Sequence, residues 1–161
     1  MFVVADAGPL RYLVLIDVVD ILPRLFGRVL IPEIVGAELS RPSTPLPVRA
    51  WLETAPAWLE RRANPPAIEG LPLRLDAGER AAIELAQAVG ATLLLVDDRA
   101  GDDAARARGL KTIGTLGILV QAAQVDLIEL RAAFARLRGT NFRYRPELLD
   151  ALLAQHAAKK P

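Results

Sequence analysis

The alternation of short apolar runs with helical segments constrains this chain more than any other feature. Thr92-Leu93-Leu94-Leu95-Val96 is an apolar run with Gly90 before it and Asp97-Asp98 after it, the pattern of a strand buried on both faces of a sheet. Phe2-Val3-Val4-Ala5, Arg28-Val29-Leu30-Ile31 and Lys111-Thr112-Ile113 repeat the pattern in shorter form. The stretches between them predict helices. Gly8-Pro9 opens one that runs to about residue 16, and a second covers about 18–26 before Gly27 ends it. Pro32, tolerated in a first turn, starts a helix to about 39. Asp76-Ala77-Gly78-Glu79 leads into a helix to about 89, with Ala82, Ile83, Ala86 and Val89 on one face. Further helices are predicted at about 100–108, 114–124, 127–138 and 146–157. Strands that alternate with helices imply right-handed crossovers, and so a three-layer α/β/α sandwich around a central parallel sheet.

At 161 residues, 52% of them hydrophobic, the chain suffices for one domain over 1–161 with its own core. Residues 41–75 change character, holding seven of the 12 prolines and both tryptophans, Trp51 and Trp58. A short helix near 46–54 and a possible edge strand near 58–63 are expected there, in what reads as an insertion or cover. Helices over 127–158 close the chain. The absence of cysteine excludes disulfides and thiolate metal sites and agrees with a reducing cytoplasm. Asp6 comes with no basic region ahead of it, so no signal peptide is expected. The apolar stretch from Tyr12 to Leu22 is broken by Asp17 and Asp20, short of the roughly 18–20 residues of a membrane span. A soluble, cytoplasmic protein is the expectation.

In open α/β sheets, ligands bind beyond the carboxyl ends of the strands. Asp6 follows the first strand and Asp97-Asp98 follow the clearest one, so both are aimed at the same edge. Each also precedes a helix, where aspartate is a favoured cap; their joint placement favours a site. Glu38 falls in the last turn of its helix, where a carboxylate opposes the macrodipole, whereas Glu33 in the first turn complements it. Asp76 and Glu79 fit a capping box, with Asp in place of the usual Ser or Thr. Glu84 is expected to face solvent, and Asp102 and Asp103 suit the amino-terminal half of their helix. The single histidine, His156, is expected to be exposed and incidental. Acidic oxygens without cysteine are what hard divalent cations select, and such ions most often handle phosphate esters. That donor set points to a metal-dependent nuclease. No phosphate-binding glycine loop, dinucleotide fingerprint or nucleophile elbow competes with it.

The net charge of +1 carries little information, but its distribution carries more. Arg131, Arg136, Arg138, Arg143 and Arg145 lie in a stretch without an acid, which leaves the remainder acidic. Such a stretch suits contact with RNA phosphates at Arg136, Arg138, Arg143 and Arg145; a solvated helix face is the plainer account.

Taken together, the ordered motifs resemble the PIN-domain ribonucleases, and in particular the VapC-like toxins of prokaryotic toxin–antitoxin pairs. Val3-Val4-Ala5-Asp6-Ala7-Gly8-Pro9-Leu10 resembles the first motif, and Val29-Leu30-Ile31-Pro32 with Glu38 the second. Gly78-Glu79 with Ala82-Ile83 resembles the helix of the third acid, and Leu94-Leu95-Val96-Asp97-Asp98-Arg99 the strand end of the fourth. Gly114-Thr115-Leu116-Gly117 is similar to one subgroup. The chain departs from the family pattern in having Glu79 where Asp is commoner, Gly8 where many members have Ser or Thr, and Val96 where a Thr is common. The resemblance implies an Mg2+- or Mn2+-dependent endoribonuclease. Asp6, Glu38, Glu79 and Asp97 or Asp98 would hold the metal, with Asp97 slightly favoured, and Thr115 would be an accessory group. It also implies an RNA substrate, a small cognate antitoxin and a possible homodimer. The alternative is a catalytically silent PIN-like module that binds RNA or protein.

Overall fold

The computed structural model describes residues 1–159. Five strands, β1 (Val3–Ala5), β2 (Val29–Pro32), β3 (Leu59–Arg62), β4 (Leu93–Leu95) and β5 (Thr112–Ile113), form one sheet in the order β3-β2-β1-β4-β5. Every pairing is parallel, with Val4 opposite Leu30 on one side and Leu94 on the other. The reversal of strand order at β1 puts the carboxyl ends of β1 and β4 side by side, the usual place for a ligand crevice.

The helices are α1 (Ala7–Leu15), α2 (Ile21–Phe26), α3 (Glu33–Leu39), α4 (Leu46–Glu53), α5 (Ala77–Ala88), α6 (Arg99–Ala107), α7 (Thr115–Gln124), α8 (Leu130–Arg138) and α9 (Pro146–Lys159). Because side chains alternate across a strand, each strand feeds two cores. Val3, Ala5, Val29, Ile31 and Leu95 join the larger cluster, with Leu10 and Leu13 of α1, Ile118 of α7 and Phe134 of α8. Val4, Leu30 and Leu94 face the other way, onto Ala82, Ile83 and Ala86 of α5 and Ala105 of α6. The expected three layers are therefore present, and the inner strands β1, β2 and β4 are buried on both faces. The proline-rich segment supplies α4 and the edge strand β3, close to the positions its sequence predicts.

Several helix starts differ from the sequence expectation. α1 begins directly at Ala7, with Pro9 inside its first turn, where a missing N–H is harmless. α2 begins at Ile21 rather than at residue 18: Asp17, in a left-handed conformation (φ 61°), closes α1 as the Val18 N–H donates to the Leu13 carbonyl at 2.9 Å, and a turn precedes α2. α8 begins at Leu130, where Glu129 caps it by accepting the Ala132 N–H at 2.7 Å; Leu127 and Ile128 pack on the larger core instead. Glu84, expected in solvent, is buried at 6% exposure and accepts the Ile68 N–H at 2.7 Å. The proline-rich segment folds back over α5 and takes that face away from water. His156 is half-buried rather than exposed, and its Nδ1 has no hydrogen-bond partner.

Among the described residues, no helix is long and apolar enough to cross a membrane.

Candidate functional site

The carboxyl ends of β1 and β4 open into a cavity of about 530 Å³. Asp6, Glu38, Glu79, Asp97 and Asp98 all line it, so acids far apart in the chain do converge on one hollow. Among the described residues, however, no three of them form a ready-made metal-binding group. The acids stand in three smaller sets, each held by different elements.

The first set surrounds Gly78. Asp6 follows β1, and its N–H donates to the Leu95 carbonyl at 2.9 Å, which extends the β1–β4 ladder by one bond and fixes the residue at the sheet edge. It stands at the N-cap position of α1 but makes no side-chain capping bond. The capping account of Asp6 therefore fails. Glu38, in the last turn of α3, points towards the start of α5. A Cβ built on Gly78 would lie 3.2 Å from Glu38 Oε1, 3.4 Å from Asp6 Oδ1 and 3.5 Å from Asp76 Oδ1. Three carboxylate oxygens from three segments thus stand close to the Gly78 backbone, and a side chain there would crowd Glu38.

The second set joins Glu79 and Asp98. The capping box is real: Asp76 Oδ1 accepts the Glu79 N–H at 2.8 Å, and Glu79 Oε2 accepts the Asp76 N–H at 3.1 Å. The cap and the site are the same residues. Asp98 caps α6 by accepting the Ala100 N–H at 3.2 Å, and its carboxylate lies near enough to Glu79 to raise it.

Asp97 forms the third set with Thr115. Its Oδ1 accepts the Thr115 N–H at 2.6 Å and its Oδ2 accepts the Thr115 hydroxyl at 2.7 Å. Thr115 is fully buried at the start of α7. A Cβ on Gly114 would come within 2.8 Å of Asp97 Oδ1 and 3.3 Å of the Val96 carbonyl, so this clamp needs glycine there. Of the duplicated aspartates, Asp97 is the one locked in place and Asp98 the one shared with Glu79.

Burial and crowding set the electrostatics. Asp6 is pushed up to about 8, first by desolvation and then by the charges of Glu38, Asp76 and Glu79, against the Ala7 N–H. Glu79 is pushed up to about 7, again mainly by desolvation, with Asp76 and Asp98 adding to the rise. Glu38 is raised by burial and Asp76, with Arg41 and Arg11 opposing. Asp97 is raised by burial while both Thr115 donors pull it down. These are carboxylates whose negative charge is undercompensated by the protein, and a hard cation would relieve it. The all-oxygen donor set suits such an ion.

The basic stretch divides. Arg143 lines the cavity, and Arg145 lines an adjoining groove of about 920 Å³ that shares Asp97, Arg99 and Arg143 with it. Arg136 is elsewhere, donating to the Ile16 carbonyl at 2.8 Å, and Arg138 pairs with Asp150 at 3.2 Å. Those two are not brought to the site. Asp102 also lies outside it, accepting from Thr112 and from Arg106 Nε at 2.8 Å.

Sequence reasoning missed Asp76 and Arg11 as cavity residues. The capping pattern fully explained Asp76, and so hid its second role. Arg11 had one available signal: it lies five positions after Asp6, on the helix that leaves the sheet edge.

A family model described as a PIN domain matches residues 2–158, nearly the whole chain. Compared with the curated proteins and with the solved structures, the chain matches none of them.

Proposed function

This chain is a member of the PIN-domain family, and from that premise we propose that it is a divalent-metal-dependent endoribonuclease that hydrolyses RNA phosphodiester bonds. PIN domains are generally nucleases. The single observation that carries the reading is the cavity at the sheet's carboxyl edge, lined by acids from four separate segments, with Asp6 pushed up to about 8.

Asp6, Glu38, Glu79 and Asp97 would hold Mg2+ or Mn2+, with Asp98 reaching it through its contact with Glu79. Such an ion, held by these carboxylates, would supply a water of lowered pKa and offset charge on the non-bridging oxygens. Thr115 fixes both oxygens of Asp97 and so sets the direction in which that carboxylate meets a ligand. Gly8 leaves Asp97 Oδ2 only 3.3 Å from where a side chain would begin, so Thr115 is the group that supplies the hydroxyl on this carboxylate. Arg143 and Arg145 would take flanking RNA phosphates along the adjoining groove.

The finer reading is a VapC-like toxin of a cytoplasmic toxin–antitoxin pair, with a small cognate antitoxin that covers the cavity and a possible homodimer. It rests on the ordered motifs around Asp6, Glu38, Glu79 and Asp97. The scattering of the acids into three sets favours one alternative, a catalytically silent module that binds RNA or protein. Calorimetric titration with Mn2+ separates the two. The nuclease binds Mn2+ in wild type and loses that binding, together with RNA cleavage, in Asp6→Asn. A silent module shows no carboxylate-dependent heat and no cleavage.

A further inference from the structure

Arg11 is a cavity residue whose charge acts on Glu38 without an ion pair that holds it there. It stands on α1 and lines the hollow together with Asp6, Glu38 and Glu79. A guanidinium among carboxylates ordinarily forms a bidentate ion pair. Among the described residues Arg11 makes no such pair. Its Nε is buried and has no hydrogen-bond partner. Its Cζ stands 5.8 Å from the Tyr12 ring centroid, a contact that uses no N–H. A buried donor left unmade is a cost, so the guanidinium is not held here by an acceptor on its Nε, and it lines a cavity that an anion can enter.

The neighbouring residue explains how Arg11 is held. The Tyr12 hydroxyl donates to Asn141 Oδ1 at 3.0 Å, and its ring meets Phe142 edge-on at 4.9 Å. These contacts tie α1 to the connector between α8 and α9, which carries Arg143 onto the same cavity. One junction thus places two cations over a floor of acids.

Resting on the ribonuclease reading, we infer that Arg11 is a ligand for the substrate, its guanidinium donating to a non-bridging oxygen of the phosphodiester. The acids serve a cation, and Arg11 serves the anion that accompanies it. The Arg11 charge opposes the rise of Glu38, but among the described residues no ion pair ties it to a carboxylate. Tyr12 is the positioning residue, acting through the connector.

The test uses the Mn2+-loaded full chain, with wild type, Arg11→Gln and Arg11→Lys compared on a short single-stranded oligoribonucleotide. Fluorescence anisotropy should show Arg11→Gln binding it about 10- to 100-fold more weakly. The salt dependence of binding should flatten by about 0.7 in slope, the share of one phosphate contact on a single strand, and Arg11→Lys should recover part of the loss. Mn2+ affinity by calorimetry should stay level or tighten, because a cation has left an anionic cavity. If Mn2+ affinity and melting temperature fall together with RNA binding, Arg11 is structural and the inference is overturned. Wild-type RNA binding in Arg11→Gln overturns it equally. If wild type binds the oligonucleotide through Arg11 yet leaves it uncut, the nuclease reading fails and the Arg11 assignment stands; RNA neither bound nor cut removes both.

Discussion

The two walls of the cavity carry the same kind of side chain in opposite states. On the wall built by β1, α3 and α5, the oxygens of Asp6, Glu38 and Asp76 gather around Gly78, and Asp6 makes no capping bond. On the wall built by β4 and α7, each oxygen of Asp97 has its own donor from Thr115. Burial raises both aspartates, but only Asp97 has side-chain and backbone donors that together pull it back. Burial alone therefore does not say what a carboxylate is for. Its donors do: the crowded wall is short of positive charge, whereas the clamped wall is already oriented and needs a ligand only to complete it.

Asp6→Asn breaks the comparison most severely. The amide keeps the shape and removes the charge, so RNA cleavage should fall by more than about 100-fold, beyond the effect usual for a residue outside the metal's direct ligands. The fold should survive, as circular dichroism would show; wild-type cleavage rates in this variant would remove Asp6 from the site.

The same wall predicts a pH dependence of stability. Asp6 rises from 3.8 to about 8 and Glu79 from 4.5 to about 7 on folding, so the folded protein keeps protons that the unfolded chain releases. Stability of the metal-free protein should then be greatest near pH 4 and fall as pH climbs through 7 and 8, by on the order of several kcal/mol. Melting curves taken with a chelator present should show this decline, and Asp6→Asn should flatten it. Added Mn2+ should reverse it at pH 8, because an ion that binds only the folded form stabilises that form. A melting temperature that instead climbs from pH 4 to 8 without metal would contradict the crowding.

Thr115→Val tests the other wall. Valine keeps the volume and the backbone donor but removes the 2.7 Å hydroxyl bond to Asp97. Cleavage should drop about 10-fold, as for the loss of a group that orients a metal ligand, and stability by about 1–3 kcal/mol. Thr115→Ser should restore both. If valine costs nothing in rate, Asp97 does not depend on its clamp and the two walls are less different than their hydrogen bonds indicate.

How much of this was legible in the sequence follows from the range of the forces involved. The strand runs are local, so the parallel sheet and the placement of Asp6 and Asp97 at its carboxyl edge were readable. Glu38 stands out because it opposes its own helix dipole, a local oddity. Asp76 is hidden because a local capping bond to its Oδ1 already accounts for an aspartate at that position. Arg11 and Arg143 meet one cavity only through the Tyr12 contacts with Asn141 and Phe142, a pairing 129 residues apart for Tyr12 and Asn141. The charge run that grouped Arg136 and Arg138 with Arg143 ignored direction: Arg136 turns onto the end of α1 and Arg138 onto Asp150.

Glu84 supplies the smallest effect and the control for the whole comparison. It shares α5 with Glu79, and both are slightly more buried than Asp6, at 6% and 7% exposure against 8%. Yet Glu84 does not line the cavity; its Oε2 is occupied by the Ile68 N–H, and Ile68 packs on the smaller core. Glu84→Gln keeps an acceptor oxygen in place and removes only the charge assistance of that bond. It should therefore cost about 1 kcal/mol of stability and leave RNA cleavage and Mn2+ affinity at wild-type values. Chemical denaturation beside a cleavage assay would check it. A loss of Mn2+ affinity here would mean that buried charge anywhere along α5, rather than the oxygens gathered at its amino-terminal end, governs the ion, and the division of the cavity into a crowded and a clamped wall would have to be redrawn.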